Sequence, residues 1–167
     1  MVMNVNKEIF KSAQSFLKMA EIAKKSAIEV CDFRIAFNSN LAFSIELFIK
    51  SMDATSEEKV IFEIGTAKIT RPFAQSNIKG HKLSSLFEKL PIATQKELDS
   101  LFEGHSFNVA CKPLKLVLID IEDSFVSNRY SYEQGGDVSA NESHLLLWTA
   151  RFFQEALTSS LRKHEMN

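Results

Sequence analysis

The residues best suited to chemistry lie between residues 125 and 133. The segment Phe125-Val-Ser-Asn-Arg-Tyr-Ser-Tyr-Glu133 contains both tyrosines of the chain, and four of its members are candidate ligand-binding residues: Arg129, Tyr130, Tyr132 and Glu133. Arg129 lies four residues after Phe125, the last residue of an apolar helical row, so a continuing helix would direct it inward. A guanidinium there could clamp a phosphate or a carboxylate. The tyrosines could stack on a base.

The same segment also has a structural interpretation. Arg129 could form an ion pair with Glu46 or Glu133, with the tyrosine hydroxyls hydrogen-bonded inside the protein, because ion pairs are common outside functional sites. The residue pattern leaves both interpretations open.

Three further residues are candidates for the same ligand-binding site: Glu46, Lys50 and His81. Glu46 and Lys50 are spaced as an exposed helical ion pair, but an inward-facing Glu46 would orient Arg129 instead. His81 precedes a short apolar helix, where it could be a cap or a half-buried, hydrogen-bonded side chain. It could also bind a ligand or transfer a proton near Arg129. Arg129 and His81 are the candidates for catalysis, and neither is assigned.

Other familiar chemistries lack their residue patterns. The chain has no His-Glu-x-x-His motif, and Gly135-Gly136 lacks the Lys and Ser/Thr of a phosphate-binding loop. Cys31 and Cys111 have no Cys or His at metal-ligand spacing, so we expect free, buried thiols in a reducing compartment. We expect neither a metal site nor a cofactor. His105, His144 and His164 are expected on the surface or in loops.

Composition and charge narrow the class of protein. The 167 residues are 45% hydrophobic and 25% charged, which is typical of one globular domain, here expected to span 1–167. The net charge of −1 argues against a surface that grips nucleic acid everywhere, although it allows a local basic patch. There is no signal-peptide pattern and no long apolar stretch, so we expect a soluble, cytoplasmic protein without a membrane partner.

Apolar periodicity predicts the elements that must position these residues. Residues 6–30 and 35–52 are predicted to form two helices, whose buried rows are Phe10, Ala13, Leu17 and Ala20, then Leu41, Ile45, Phe48 and Met52. Alternation on both sides of Gly65 predicts a small β-hairpin insertion at 58–71, packed on the helices and ended by Pro72.

Two helices are predicted next. A short one follows Gly80 and stops at Pro91. Thr94 and Glu97 have the spacing of a capping box, which would open a helix that Gly104 ends.

Two more helices complete the prediction. Pro113 suits the first turn of one, and a second capping box of Ser139 and Glu142 opens a long final helix. Their buried rows are Leu114, Val117, Leu118, Ile121 and Phe125, then Leu146, Ala150, Phe153, Leu157 and Leu161. The fold class is therefore all-α. The expected architecture is an up-and-down helical bundle of four main helices plus short helices, with the hairpin added.

The order of these segments resembles one known superfamily. An amphipathic first helix precedes Leu41-Ala-Phe-Ser-Ile-Glu-Leu-Phe-Ile-Lys50, then Gly80-His-Lys-Leu-Ser-Ser-Leu-Phe87, then the 125–133 segment and a long closing helix. This arrangement resembles the HEPN superfamily, helical bundles associated with nucleotide or RNA handling. The resemblance spans nearly the whole chain, with residues 58–72 as an insertion.

The resemblance implies an up-and-down bundle that often pairs as a homodimer. Many active members are endoribonucleases in toxin–antitoxin or phage-defence settings, and their signature is an Arg and a His separated by four to six residues. Carried onto this chain, the arginine is Arg129, but Gln134, Gly135 and Gly136 occupy the histidine positions and the next histidine is His144. Metal-independent RNA cleavage needs a proton acceptor and donor. The resemblance therefore favours binding over cleavage.

Three hypotheses follow. The first is a HEPN-like domain without the usual catalytic histidine, which binds nucleotide, RNA or a protein partner around Arg129 in a bacterial stress or defence context. The second is a toxin-type endoribonuclease in which Arg129 works with a distant histidine such as His81 or His144. The third is a structural or interaction module in which Glu46, His81 and Arg129 form an internal network. Exposure of the candidate side chains discriminates a binding site from an internal network.

Overall fold

The computed structural model describes residues 3–26, 34–109, 111–124 and 140–166. They form a mostly helical chain with one antiparallel hairpin, as predicted. The helices are α1 (Lys7–Ser26), α2 (Arg34–Ser51), α3 (Leu83–Glu88), α4 (Ile92–Glu103), α5 (Leu114–Ile121) and α6 (Ala140–Glu165), and the strands are β1 (Ala54–Ile64) and β2 (Ala67–Ser76). The predicted continuation of the first helix to residue 30 lies outside the described residues.

Helices α1 and α2 lie side by side in opposite directions. The side chain of Asn6 caps α1, accepting hydrogen bonds from the backbone N–H groups of its first turn. The backbone N–H of Asn6 donates to the carbonyl of Ser51 at the end of α2, at 2.8 Å. At the other end, Lys24 Nζ lies 5.8 Å from the ring centroid of Phe37. The start of α1 thus meets the end of α2.

Helix α6 runs opposite to α1 and also packs on α2. Arg151 pairs with Glu21 near the end of α1 at 3.2 Å. Further along α6, Ser160 Oγ donates to the carbonyl of Met3 at 3.0 Å. The predicted row on this helix is confirmed for four members, which are fully buried, whereas Leu161 is half-buried.

Helix α2 is the central element of the core. Because α1, α3 and α6 all pack against it, every residue from Phe37 to Ser51 is buried or half-buried, so the burial extends beyond one stripe. The predicted row of Leu41, Ile45, Phe48 and Met52 is confirmed as buried, but four polar residues of α2 are buried too: Asn38, Ser44, Glu46 and Ser51. Ser44 Oγ donates to the carbonyl of Ala13 at 2.8 Å, which compensates the burial of its hydroxyl.

Helix α4 does not begin at the predicted capping box. Helix α4 begins at Ile92, directly after Pro91, and no side chain caps it, so the box of Thr94 and Glu97 is wrong. The fixed φ of proline favours a helix start at that point, and Thr94 lies inside the first turn. Gly104 does follow the last residue of α4, as predicted.

The starts of α5 and α6 differ in a similar way. Pro113 immediately precedes α5 rather than occupying its first turn. Helix α6 begins at Ala140 with Glu142 in its first turn, and Ser139 lies outside the described residues. The buried row of α5 is confirmed at four positions, and Phe125 lies outside the described residues.

The hairpin is longer and more exposed than predicted. Its strands extend beyond 58–71, and Pro72 pairs with Glu58 inside β2 instead of ending the strand. Each strand of a two-stranded ribbon has an outer edge, where a residue without an N–H is tolerated. Every residue of β1 after Ala54 is exposed. The hairpin contacts the helical body at its base, where Asn6 Nδ2 donates to Ser56 Oγ at 2.7 Å and β2 meets α1, so the expected packing on the helices holds there and not along the exposed strands.

Two further findings concern the sequence predictions. Cys111 is a free thiol, as expected, but it is exposed rather than buried, and Cys31 lies outside the described residues. Within the described part of the chain, no helix has the length and apolar composition needed to cross a membrane.

Candidate functional site

The structure brings together three of the seven predicted ligand-binding residues. Lys50 and His81 both contact Glu46. The other four fall in 125–139, outside the described residues: Arg129, Tyr130, Tyr132 and Glu133. Their roles therefore stay predictions.

Glu46 is the centre of the cluster. Its side chain is 3% exposed, and its Oε1 lies 2.6 Å from Nζ of Lys50, one turn further along α2. The interpretation of this pair as an exposed surface pair is thus wrong. The reason is the packing of three helices around α2, which no single-helix pattern encodes. A carboxylate buried this far needs charged or hydrogen-bonding partners, because burial of an unpaired ion is costly.

His81 supplies the second partner from across the fold. Its Nδ1 lies 3.1 Å and 3.2 Å from the two carboxylate oxygens of Glu46. Gly80 precedes it with a φ of +117°, a backbone conformation that side chains other than glycine rarely adopt. The His81 side chain is nevertheless 71% exposed, so the expectation of a half-buried histidine is wrong.

The contact fixes the chemistry of the imidazole. A carboxylate only accepts hydrogen bonds, so the tautomer assigned from this contact has the proton on Nδ1, and Nδ1–H donates a hydrogen bond to Glu46. In the neutral ring, Nε2 is then an acceptor. It has no hydrogen-bond partner among the described residues, and the ring is open to solvent. The arrangement therefore presents a basic nitrogen, held in one orientation by a buried carboxylate.

A second carboxylate with charged and polar partners lies near the Glu46 cluster, and the sequence patterns did not indicate it. Glu122 follows α5, and its side chain is 8% exposed. It accepts hydrogen bonds from Lys82 Nζ at 2.8 Å and from Ser84 Oγ. One signal could have found it, since Glu122 continues the spacing of the buried Leu114 and Leu118 at the end of an apolar row.

The two clusters share the start of α3. His81 reaches back to Glu46 on α2, while Lys82 and Ser84 reach Glu122 after α5. The start of α3 is thus held between two buried carboxylates. Its imidazole and ammonium groups are mainly exposed, at 71% and 62%. These exposed groups can accept a proton or bind an anion.

The charge on Glu122 is stabilised by its neighbours. Burial alone would raise the pKa of this carboxyl, but the hydrogen bonds from Lys82 and Ser84 outweigh burial and hold the pKa below its usual value. The same contact raises the pKa of Lys82, through the hydrogen bond and charge of Glu122. Both shifts favour the ion pair.

A pH dependence of stability follows for Glu122→Gln. Because the folded-state pKa is lowered, the carboxylate stabilises the fold fully above its usual pKa of about 4.5 and ceases to do so as the pH falls through the folded value. At pH 7 the free energy of unfolding of the variant should be about 1 kcal/mol lower than that of the parent. Urea unfolding at pH 7 and pH 3 measures this gap, which should narrow at the lower pH. An equal gap at both values would contradict the assignment.

The three remaining histidines lie elsewhere. His105 lies in the loop after α4, as expected, and is half-buried against Phe152, with ring centroids 5.2 Å apart. His144 is exposed and stacks on Trp148, and His164 is exposed and contacts the carbonyl of Met3. None of the three contacts Glu46 or Glu122 in the described structure.

No described group of residues suits a metal ion. Among the residues that the structure describes, no three His, Cys, Asp or Glu side chains are placed to hold one. The candidate site is therefore the α3 rim, defined as His81 and Lys82 with the carboxylates of Glu46 and Glu122 behind them. Comparisons of the chain with protein-family models, with curated proteins and with solved structures find no match.

Proposed function

We propose that the chain is a HEPN-like helical domain that binds nucleotide or RNA at the α3 rim, with its main helices arranged as an up-and-down bundle. The opposite directions of α1 and α2, and of α6 and α1, support that arrangement. A role in bacterial stress or defence belongs to the same proposal. One observation carries the binding role, namely an exposed imidazole held by the buried Glu46.

Exposure is what separates this proposal from an internal network. A purely structural network would bury His81 with Glu46, whereas 71% of the His81 side chain faces solvent. A phosphate approaching the rim would meet the imidazole and the neighbouring Lys82 ammonium, both of which donate to anions when protonated. In this proposal Arg129 adds a guanidinium, and Tyr130 and Tyr132 stack on the bases.

The binding role predicts a specific loss in His81→Ala. Because His81 is exposed, this variant should fold normally, and its affinity for single-stranded RNA should fall about tenfold, the cost of losing a charge-assisted hydrogen bond. Fluorescence anisotropy of a labelled 12-nucleotide RNA, with a parallel titration of AMP, measures the affinity. Arg129→Ala should show a similar loss.

His144→Ala is the matched control, since His144 is also exposed but lies outside the rim. It should bind like the parent. The proposal fails if the parent binds neither RNA nor AMP at 0.1 M salt, or if His81→Ala and the parent bind alike.

A second candidate function is RNA cleavage, favoured by the orientation of His81. With Nδ1 donating to Glu46, Nε2 can accept the proton of a ribose 2′-hydroxyl while that oxygen attacks the adjacent phosphorus and the 5′-oxygen leaves with a proton from water. A buried carboxylate that orients such a ring is the arrangement found in catalytic triads.

This candidate has its own test. Purified protein without added metal should cleave a mixed RNA pool to products with cyclic phosphate ends, and His81→Ala should abolish the cleavage. An intact RNA pool after incubation with folded parent protein would eliminate the nuclease and leave the binding role standing.

A further inference from the structure

A cavity of about 200 Å³ opens between α4 and α6, and none of its lining residues belongs to the α3 rim. Leu101 of α4 and Ala156 of α6 line it, together with the buried Phe152 and Met3. Leu101 is a large apolar side chain, yet 45% of it is exposed beside this space. A water occupies about 30 Å³ in the liquid, so the cavity has room for about seven waters and suits a small organic molecule.

His105 and Glu155 lie at one end of the cavity. The backbone N–H of Phe107 donates to His105 Nδ1 at 3.3 Å, so the tautomer assigned from this contact carries its proton on Nε2. Nε2 in turn lies 3.4 Å from Oε2 of Glu155. Because these two side chains are partners of each other, this end of the cavity requires no charge from a ligand.

Glu97 and Lys163 lie at the other end. Glu97 precedes His105 by about two turns of helix. Met3 is at the same end as Glu97, since both also line a neighbouring cavity at the base of the hairpin. The carbonyl of Met3 accepts a hydrogen bond from Ser160 Oγ at 3.0 Å, and Lys163 follows Ser160 within one turn of α6. One end of the cavity thus has both an acid and a base.

This acid and this base do not pair. Neither Glu97 nor Lys163 has an ion-pair partner among the residues that the structure describes. Glu97 is half-buried, and a partly desolvated carboxylate gains stability from a cation that reaches it. Lys163 is exposed and can bind an anion. A ligand with both charges close together would therefore provide a partner for each.

We infer that this cavity binds a free α-amino acid with an apolar side chain of about the size of leucine. The ammonium group pairs with Glu97 and the carboxylate pairs with Lys163, both as charge-assisted hydrogen bonds. One carbon atom joins the two charged groups of an α-amino acid, so both fit at the same end of the cavity. The apolar side chain then lies against Leu101 and Ala156 and extends toward His105.

The charges of the cavity disfavour simpler ligands. An aliphatic amine would pair with Glu97 but bring its ammonium close to Lys163. An aliphatic acid would pair with Lys163 but bring its carboxylate close to Glu97. Like charges brought together oppose binding, so each of these ligands gains one contact and meets one repulsion.

Isothermal titration calorimetry of the full chain with L-leucine tests this assignment. The parent should bind L-leucine and saturate below about 20 mM. The analogues 4-methylpentanoate and 3-methylbutylamine, which lack the ammonium and the carboxylate respectively, should bind about tenfold more weakly or worse, because each loses one charge-assisted hydrogen bond. N-acetyl-leucine and leucinamide should weaken similarly, which distinguishes a free amino acid from the end of a peptide.

Matched variants separate the cavity from the rest of the surface. Glu97→Gln and Lys163→Gln should each weaken L-leucine binding about tenfold, and both should fold like the parent because neither side chain has an ion-pair partner to lose. Glu103→Gln and Lys96→Gln make the same changes of charge on α4 outside this cavity and should bind like the parent.

Three results would overturn the inference. The first is a parent that shows no binding of L-leucine by about 20 mM. The second is an analogue without one of the two charges that binds as tightly as L-leucine. The third is equal binding by the parent, Glu97→Gln and Lys163→Gln, because the amino acid would then bind elsewhere.

Discussion

Replacing Glu46 with alanine is expected to lower the free energy of unfolding by about 3 kcal/mol. The carboxylate is 3% exposed and pairs with Lys50, whose side chain is only 15% exposed. Removing one member of a buried pair leaves the other without its counter-charge, and that is the main cost of breaking such pairs. Urea unfolding at pH 7, followed by circular dichroism, measures the difference.

Glu8→Ala is the matched control for this experiment. Glu8 also pairs with a lysine on its own helix, Lys11 at 3.1 Å, but both side chains are largely exposed. Its loss should cost no more than about 0.5 kcal/mol. If Glu46→Ala cost as little as Glu8→Ala, the Glu46 carboxylate would be solvated and the α3 rim would have no buried anchor.

Replacing Leu41 with alanine is the second substitution with a large expected effect. Leu41 is fully buried on α2, the helix that α1, α3 and α6 surround. Deleting its side chain removes apolar contact and leaves a cavity that the surrounding helices cannot easily close, so the free energy of unfolding should fall by about 3–5 kcal/mol. The same urea titrations measure this effect.

Leu116→Ala serves as the control for Leu41→Ala. Leu116 lies on a helix too, on α5, but is 47% exposed. Its replacement should change stability by less than about 1 kcal/mol. Equal losses at the two positions would show that α2 is not the centre of the core.

The helical rows are the part of the fold that the sequence predicts well. Leu41, Ile45 and Phe48 recur at helical spacing, and all three are fully buried. This works because the spacing of apolar residues on one helix is a local property. The burial of Glu46 was not predictable in the same way, since it depends on three other helices that pack around α2.

The candidate site was predictable only in part, for a similar reason. The contact between Glu46 and His81 joins residues 35 positions apart, so sequence spacing could nominate each residue but could not pair them. Glu122 was not among the candidates for the same reason, since its partner Ser84 lies 38 positions away along the chain. The ribbon was predicted too short because Pro72 was treated as a strand end, which holds for central strands but not for an outer edge.

The central claim is that His81 meets the ligand while Glu46 holds its ring. Long-range ¹H–¹⁵N spectra of the His81 imidazole, recorded during a titration with single-stranded RNA, test it most directly. We predict a proton on Nδ1 in the free protein, and shifts of the Nε2 and Cε1–H signals as RNA is added, while the signals of His144 stay in place. A neutral ring protonated on Nε2 instead of Nδ1 in the free protein, or His81 signals that do not move at saturating RNA, would contradict the account.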